Sequence, residues 1–328
     1  MKTAIIGYGN IGKLRHKEME NNKDYELVAI CDLYNLPTNS NINTYTNYMD
    51  LLNKEQLDCV FICVPHSFTT PIILESIKKN INVFAEKPPG ITIKDTIKIK
   101  ENLPDGLVLK FGFNHRYHNH IQEAKNIIDN RELGKIQWMK GTYGCVSLGN
   151  GWRSKKELGG RGILLSQGIH MIDLFRYLSN SEFEVQKSVV SHFDKNWYED
   201  NIFALLHSKK DNIDCMIHSS SVMKRNVFLL YIGLEGGYIR LENLITSTRS
   251  FGFPEEICIS DSEKTYFYGN PQKTSKFYGI DNSWELEMRE FADAILRSKP
   301  IVNGTITDAL QLMSILEGIY SDGDKYDY

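Results

Sequence analysis

The run Gly7-Tyr8-Gly9-Asn10-Ile11-Gly12 constrains this chain more than any other feature, because it follows directly on the apolar stretch 2–6 and opens a helical pattern over 11–21. Glycines so placed permit a tight turn, close approach of a pyrophosphate and close packing of helix on strand. The N–H groups of the first helical turn attract negative charge. Asp32 ends the second β-rich run, twenty residues past Gly12, where a carboxylate grips ribose hydroxyls. Gly7, Gly9, Asn10, Ile11, Gly12 and Asp32 are therefore expected to bind a dinucleotide. An aspartate there repels a 2′-phosphate, and only Leu33, Tyr34 and Asn35 follow it, so NAD is favoured over NADP.

The first third of the chain alternates short β-rich runs (2–6, 26–31, 58–63, 82–85 and 107–111) with helical patterns (11–21, 68–79 and 93–102), the signature of βαβ units. Nearly continuous apolar runs such as 59–64 indicate strands buried on both faces, as in a doubly wound parallel sheet. After Tyr117 the pattern changes. A helix (119–130) and a strand (135–141) lead into a glycine-rich basic stretch (149–162). A helix over 166–178 follows, then strands at 185–192, 201–207, 214–220, 227–234 and 238–241. Strands succeeding one another through short turns favour antiparallel pairing. The expected fold class is α/β: a Rossmann doubly wound parallel sheet over 1–117, then an α+β domain over 118–328 on a large, mainly antiparallel sheet. Two helical patterns, 283–297 and 305–320, end the chain, and the C-terminal helix is expected to pack back on the first domain.

With 328 residues there is room for about two domains, and a net charge of −3 gives no basic excess for neutralising phosphates, which argues against nucleic acid as the main partner. No window approaches the ~20 apolar residues of a membrane span. Six scattered cysteines without zinc-type spacing read as reduced thiols, so a cytoplasmic protein is expected. Cys59 and Cys63 fall in an apolar run and read as strand packing.

A second signal is Ala85-Glu86-Lys87-Pro88-Pro89 at the carboxyl end of a predicted strand, the sheet edge where ligands bind. Taken with the glycine turn, Asp32 and the later run Gly168-Ile169-His170-Met171-Ile172-Asp173, it resembles the Gfo/Idh/MocA family of sugar and polyol oxidoreductases over essentially the whole chain. The resemblance implies a bound nicotinamide cofactor, hydride transfer at a sugar carbon, and an open sheet that makes subunit contacts in a homo-dimer or homo-tetramer. Carried over by position, Lys87 lies beside the nicotinamide and His170 exchanges the hydroxyl proton. Glu86, with Pro65 and His66 after the third strand, joins the cofactor set. The runs 112–118 and 283–287 are similar to members acting on activated or phosphorylated sugars. One departure stands out: many members carry an aspartate four residues before the histidine, where this chain has Ser166.

The chemistry fits this division. Histidine's reference pKa of ~6.5 suits a general base, and lysine's of ~10.4 suits a donor that stabilises developing alkoxide charge. Other readings remain open. His170 could be a helix residue bonded locally to Asp173, and Ser166 a helix N-cap. Asn114, Arg116, Tyr117, Arg153 and Asp173 are expected substrate contacts. His115, His118 and His120 lack the spacing of a metal site, and no metal is expected. The segment 150–161 carries four cations against Glu157. It reads either as a mobile loop offering Arg153 or Arg161 to a phosphate and Trp152 to a sugar face, or as a solvated loop. The expected activity interconverts a ring hydroxyl and a ketone on an anionic sugar, a sugar phosphate or a nucleotide-linked sugar, in modified-sugar biosynthesis. An inositol or free-sugar dehydrogenase and a non-catalytic NAD-bound sensor are the alternatives.

Overall fold

A computed structural model describes all residues except 39–40, 150, 195–197, 247–250, 263–270 and 324–328. The chain divides into two compact units. Unit 1 holds Met1–Asn114, Glu157–Gly160 and Trp284–Met313; unit 2 holds His115–Lys156, Arg161–Ser283 and Ser314–Tyr328. The first division thus falls three residues before the expected boundary at Tyr117, and unit 1 takes two segments from later in the chain.

Unit 1 is built on strands β1 (Lys2–Ile6), β2 (Glu26–Cys31), β3 (Asn43–Tyr45), β4 (Cys59–Ile62), β5 (Asn82–Glu86) and β6 (Leu109–Gly112). All pair in parallel in the order β3-β2-β1-β4-β5-β6. The order reverses between β1 and β4, and at such a switch point the loops leaving the carboxyl ends diverge and leave a crevice. Helices α1 (Asn10–Glu20), α2 (Tyr48–Lys54), α3 (His66–Lys78) and α4 (Ile93–Asn102) connect the strands. The core rests on aromatic rings: Phe61 and Phe84 stack with centroids 4.8 Å apart, and Phe291 meets both edge-on at 5.6 and 5.5 Å. Cys59 is buried among them, as expected of strand packing, and none of the six cysteines is disulfide-bonded.

Unit 2 carries an eight-stranded sheet. Its strands are β7 (Ile136–Gly144), β8 (Glu184–Ser191), β9 (Asn201–Ser208), β10 (Ile213–Ser220), β11 (Val227–Leu234), β12 (Gly237–Glu242), β13 (Glu255–Asp261) and β14 (Gln272–Tyr278). They run in the order β14-β13-β12-β11-β7-β10-β9-β8, antiparallel except where β10 meets β7. The period of two decides which face is inside. Ile202, Ala204 and Leu206 of β9 are buried while Phe203 and Leu205 between them are exposed. Helices α5 (Asn119–Asp129) and α7 (Ile169–Ser179) lie on the buried face, with a short turn α6 (Lys156–Gly159) preceding α7 in the chain. Gly141 lets α7 settle onto β7, since a Cβ there would lie 2.4 Å from the Met171 side chain. Helix α8 (Ser283–Leu296) falls in unit 1 from Trp284 onward, and α9 (Ile306–Gly323) passes from unit 1 to unit 2 after Met313.

Candidate active site

In unit 1 the glycine-rich turn joins β1 to α1 at the switch point. Gly7 has φ +94°, and a Cβ there would lie 2.4 Å from the Cys63 carbonyl oxygen; at Gly12 it would lie 2.1 Å from the Gly7 carbonyl oxygen. Both glycines are required by the packing of the turn. Gly9 is different. Its backbone is extended (φ −75°, ψ −160°), and a Cβ would meet no heavy atom within 4 Å. That open space lies before the N–H groups of Asn10, Ile11 and Gly12, which a helix leaves without intrahelical partners. The turn therefore fits a dinucleotide: the one glycine that packing does not demand faces the place a pyrophosphate would occupy. Gly9→Ala is expected to leave the urea midpoint of the cofactor-free chain unchanged while weakening NAD binding at least about tenfold, or roughly 1.4 kcal/mol. Gly12→Ala loses both, and a Gly9→Ala chain binding NAD like its parent in a fluorescence titration overturns the assignment.

Asp32 sits beside this turn. Its Oδ2 accepts the Tyr8 N–H at 2.7 Å, and Oδ1 accepts the N–H groups of Tyr34 and Asn35 at 2.8 and 2.9 Å. Burial acts to raise its pKa, but these N–H donors outweigh it and hold the carboxyl below its usual value. The aspartate is therefore a preformed anion, half-buried at the carboxyl end of β2. Pro65 and His66 stand after β4, where His66 Nδ1 lies 2.9 Å from the Gly159 carbonyl oxygen and must donate to it.

Glu86, expected in the cofactor set, has Arg15 as a partner. Arg15 donates to its Oε1 through Nε at 2.9 Å and Nη2 at 2.7 Å, and Nη2 also reaches Glu287 Oε2 at 2.6 Å. The guanidinium is fully buried between the rings of Phe84 and Trp284, at 4.3 and 4.4 Å. Burial alone would loosen its proton, yet Glu86 and Glu287 tighten it. Two carboxylates share this one cation: Glu86 takes the forked contact, and burial dominates at Glu287, pushing its carboxyl up to about 7. Glu86 thus anchors the end of β5 to α1, immediately before the half-buried Lys87. The signal for Arg15 lay in the sequence. It belongs to the buried stripe Gly12, Arg15 and Met19 of α1, a charge at a core position of the helical repeat.

In unit 2, a π-helical turn (Leu164–Gly168) runs without a break into α7. Such turns are rare and cluster at functional sites. Ser166 lies in its middle, its N–H donating to the Gly162 carbonyl, so it is not the expected N-cap. The turn is pinned by buried Glu199, whose carboxylate accepts the N–H groups of Gly162 and Leu164 at 2.7 and 3.2 Å and the Tyr320 hydroxyl at 2.8 Å. Burial raises the Glu199 carboxyl, and these donors work against it. His170 occupies the first turn of α7, its ring stacked face to face on His115.

Arg116 and Asp173, both expected to touch substrate, bind each other. Nε and Nη2 donate to Oδ2 and Oδ1 at 2.8 and 2.5 Å, and Asp173 has no exposed surface. Tyr117 is buried at the end of the single turn Asn114–Tyr117, and Asn114, also buried, ends the first segment of unit 1. In the basic segment Asn150 lies outside the described residues. Arg153 stacks on Trp152 at 4.4 Å, and Arg161 lies over Tyr320 at 4.1 Å while pairing with Glu317 at 3.1 Å. His118 and His120 converge on buried Glu255, at 2.7 and 3.1 Å. Among the described residues no group of three or more His, Cys, Asp or Glu is arranged to hold a metal.

Burial would raise Glu255, but His118 and His120 bring it down to about 2 from 4.5. A depressed carboxyl stabilises the fold above its unfolded value, so on the order of 3 kcal/mol should be lost as pH falls from about 4.5 toward 2. Glu255→Gln should flatten that part of a Tm-against-pH curve. An unchanged slope would show the charge is not needed.

Comparison with known proteins agrees with this geometry. Residues 1–105 match a family model described as an oxidoreductase family with an NAD-binding Rossmann fold, and 121–239 match the C-terminal domain model of the same family. The chain belongs to the Gfo/Idh/MocA family. Among curated members it is 29% identical over 202 residues to D-glucoside 3-dehydrogenase of Escherichia coli strain K12, covering 58% of this chain and 57% of that protein. It is 27% identical over 299 residues to glucose-6-phosphate 3-dehydrogenase of Bacillus subtilis strain 168, covering 85% and 78%. The chain spans little more than half the length of several curated relatives. Among solved structures, a 3-ketoreductase from Actinomadura kijaniata in complex with NADP and TDP-benzene superposes with a TM-score of 0.83 at 16% identity, covering 98% and 97%. That likeness is one of fold. In this Gfo/Idh/MocA chain, no helix among the described residues is long and apolar enough to cross a membrane.

Proposed function

We propose that this chain is an NAD-dependent oxidoreductase interconverting a sugar ring hydroxyl and a ketone, with a sugar phosphate or nucleotide-linked sugar as substrate in modified-sugar biosynthesis in the cytoplasm. The observation that carries the reading is His170: a titratable ring, nearly buried among aromatic side chains, in a chain whose other unit is an NAD-binding fold. When bound, the nicotinamide accepts or returns the hydride. The protein's residues manage the proton and the charge. In oxidation His170 takes the hydroxyl proton, and in reduction it gives it back. Lys87 is the proposed donor that stabilises the negative charge developing on the reacting oxygen. Gly9 and the amides opening α1 hold the pyrophosphate, and Asp32 holds the ribose, which selects NAD.

Relatives named as glucoside and glucose-6-phosphate 3-dehydrogenases and as a 3-ketoreductase share position 3, so ring carbon 3 is the proposed site of reaction. A second reading, an inositol or free-sugar dehydrogenase, draws on the pairing of Arg161 with Glu317, which neutralises one of the two arginines expected to meet an anion. Following the absorbance of reduced nicotinamide with glucose 6-phosphate, a nucleotide-linked glucose, glucose and myo-inositol separates the two. Preference for the charged sugars supports the first reading. Turnover of the neutral ones alone overturns it, and NAD binding without turnover of any leaves a sensor. The outer face of the unit 2 sheet exposes Val189 of β8 beside Phe203 of β9, with Leu205 also on β9 and Trp138 on β7, and we assign it to contact between copies of the chain. Leu205→Lys should then shift sedimentation toward the single chain; an unaltered profile would refute the assignment.

A further inference from the structure

His115 and His170 stand 55 residues apart in the chain, yet their rings lie parallel, 3° apart in plane, with centroids 3.7 Å apart. Both are almost entirely buried. His115 comes from the single turn Asn114–Tyr117 and is fixed on several sides. Its Nε2 lies 3.0 Å from the Tyr143 hydroxyl on β7, and His118 and Phe228 meet its ring edge-on at 5.5 and 6.4 Å. Tyr143 is itself packed against Phe228 and Phe251. On the His170 side the same tyrosine stands edge-on at 6.2 Å.

Two rings so placed interact in a specific way. Stacked faces direct no N–H at each other, so no proton passes between them and the coupling acts through charge. One imidazolium over one neutral ring is a favourable arrangement. Two imidazolium rings at this distance are like charges in a water-poor site, which strongly disfavours the second proton. Of the titratable and charged groups around the pair, Arg116 is salt-bridged to Asp173, Glu255 pairs with His118 and His120, and the Tyr143 hydroxyl is tied to His115.

We propose that His115 is a positioning residue for His170, holding its ring in plane and limiting the stacked pair to one proton, so that His170 remains available as a base. The inference rests on the reading of His170 as the acid–base group. It also gives a role to a histidine that neither the glycine turn nor the Glu-Lys-Pro run accounts for.

Titration of the full chain with isotope-labelled histidines, followed by NMR, tests it directly. In the parent both rings should respond in the same two steps, separated by more than about one pH unit, the mark of interacting sites. In His115→Phe, which keeps an aromatic face and removes the charge, His170 should titrate in one step and hold its proton to a higher pH. A His170 that titrates once, and identically in parent and variant, overturns the proposal. The parent titration alone decides the coupling, so the result does not depend on a variant folding. The kinetic companion is a split: His115→Ala should lower kcat about tenfold or more with the KM for NAD unchanged, and His115→Phe should recover part of that loss. Failure of the underlying reading looks different. If the pair titrates in two steps but His170→Asn still turns over, the coupling stands and the acid–base role falls; if His170→Asn is inactive and titration is uncoupled, the reverse holds.

Discussion

Replacing His170 with asparagine should lower kcat by about 10²–10⁴-fold, the usual contribution of a positioned acid–base group, and leave the dissociation constant for NAD unchanged. Asparagine keeps a polar group in the first turn of α7 but cannot exchange a proton near neutral pH. The cofactor side should not respond, because every residue assigned to the dinucleotide belongs to unit 1 while His170 belongs to unit 2. Stopped-flow or steady-state absorbance gives kcat, and quenching of intrinsic fluorescence gives NAD affinity. Turnover within tenfold of the parent would remove His170 from the chemistry and leave Lys87 or a bound water to move the proton. A parallel fall in NAD affinity would show that the substitution had disturbed the fold instead.

The largest expected effect on stability is at Arg15. Arg15→Met leaves Glu86 and Glu287 facing each other without their shared cation and removes the guanidinium from between Phe84 and Trp284. Breaking a buried ion pair by deleting one partner costs about 3–5 kcal/mol, a large part of the ~5–15 kcal/mol that holds a typical domain together. Urea unfolding should show the loss as a lower midpoint. Arg15→Lys should recover little of it, because an ammonium keeps the charge but neither the forked contact nor the flat stack. The double change Arg15→Met with Glu287→Met should regain part of the stability, since most of the cost is the stranded carboxylate rather than the lost contact. If Arg15→Met unfolds at the parent's midpoint, the cluster is only an accessory. Because Glu86 directly precedes Lys87, a partly destabilised Arg15 variant should also lose kcat.

Much of the architecture was legible along the chain. Helix α4 spans the expected 93–102, and β1, β2 and β11 begin and end where the apolar pattern placed them. Three-residue β3, helix α2, and strands β13 and β14 were not foreseen, for a physical reason. Gln272–Tyr278 is an edge strand exposed at nearly every position, so no alternation marks it, and its conformation comes from pairing with β13. The candidate site divides in the same way. Gly7, Gly9, Gly12, Asp32, Lys87 and His170 carry their meaning in local spacing. The partners of Glu86, Asp173 and Arg161 do not, because Arg15, Arg116 and Glu317 reach them from 71, 57 and 156 residues away.

The sequence by itself determined that a parallel, nucleotide-binding sheet comes first and that a lysine and a histidine are available for chemistry, because turns, helix starts and strand periodicity are set by neighbours in the chain. Tertiary structure alone decided which charges are already spent on one another and that two histidines share a face. Those are questions of distance between side chains remote in sequence, and buried charge must find its counterpart wherever the fold brings one within reach.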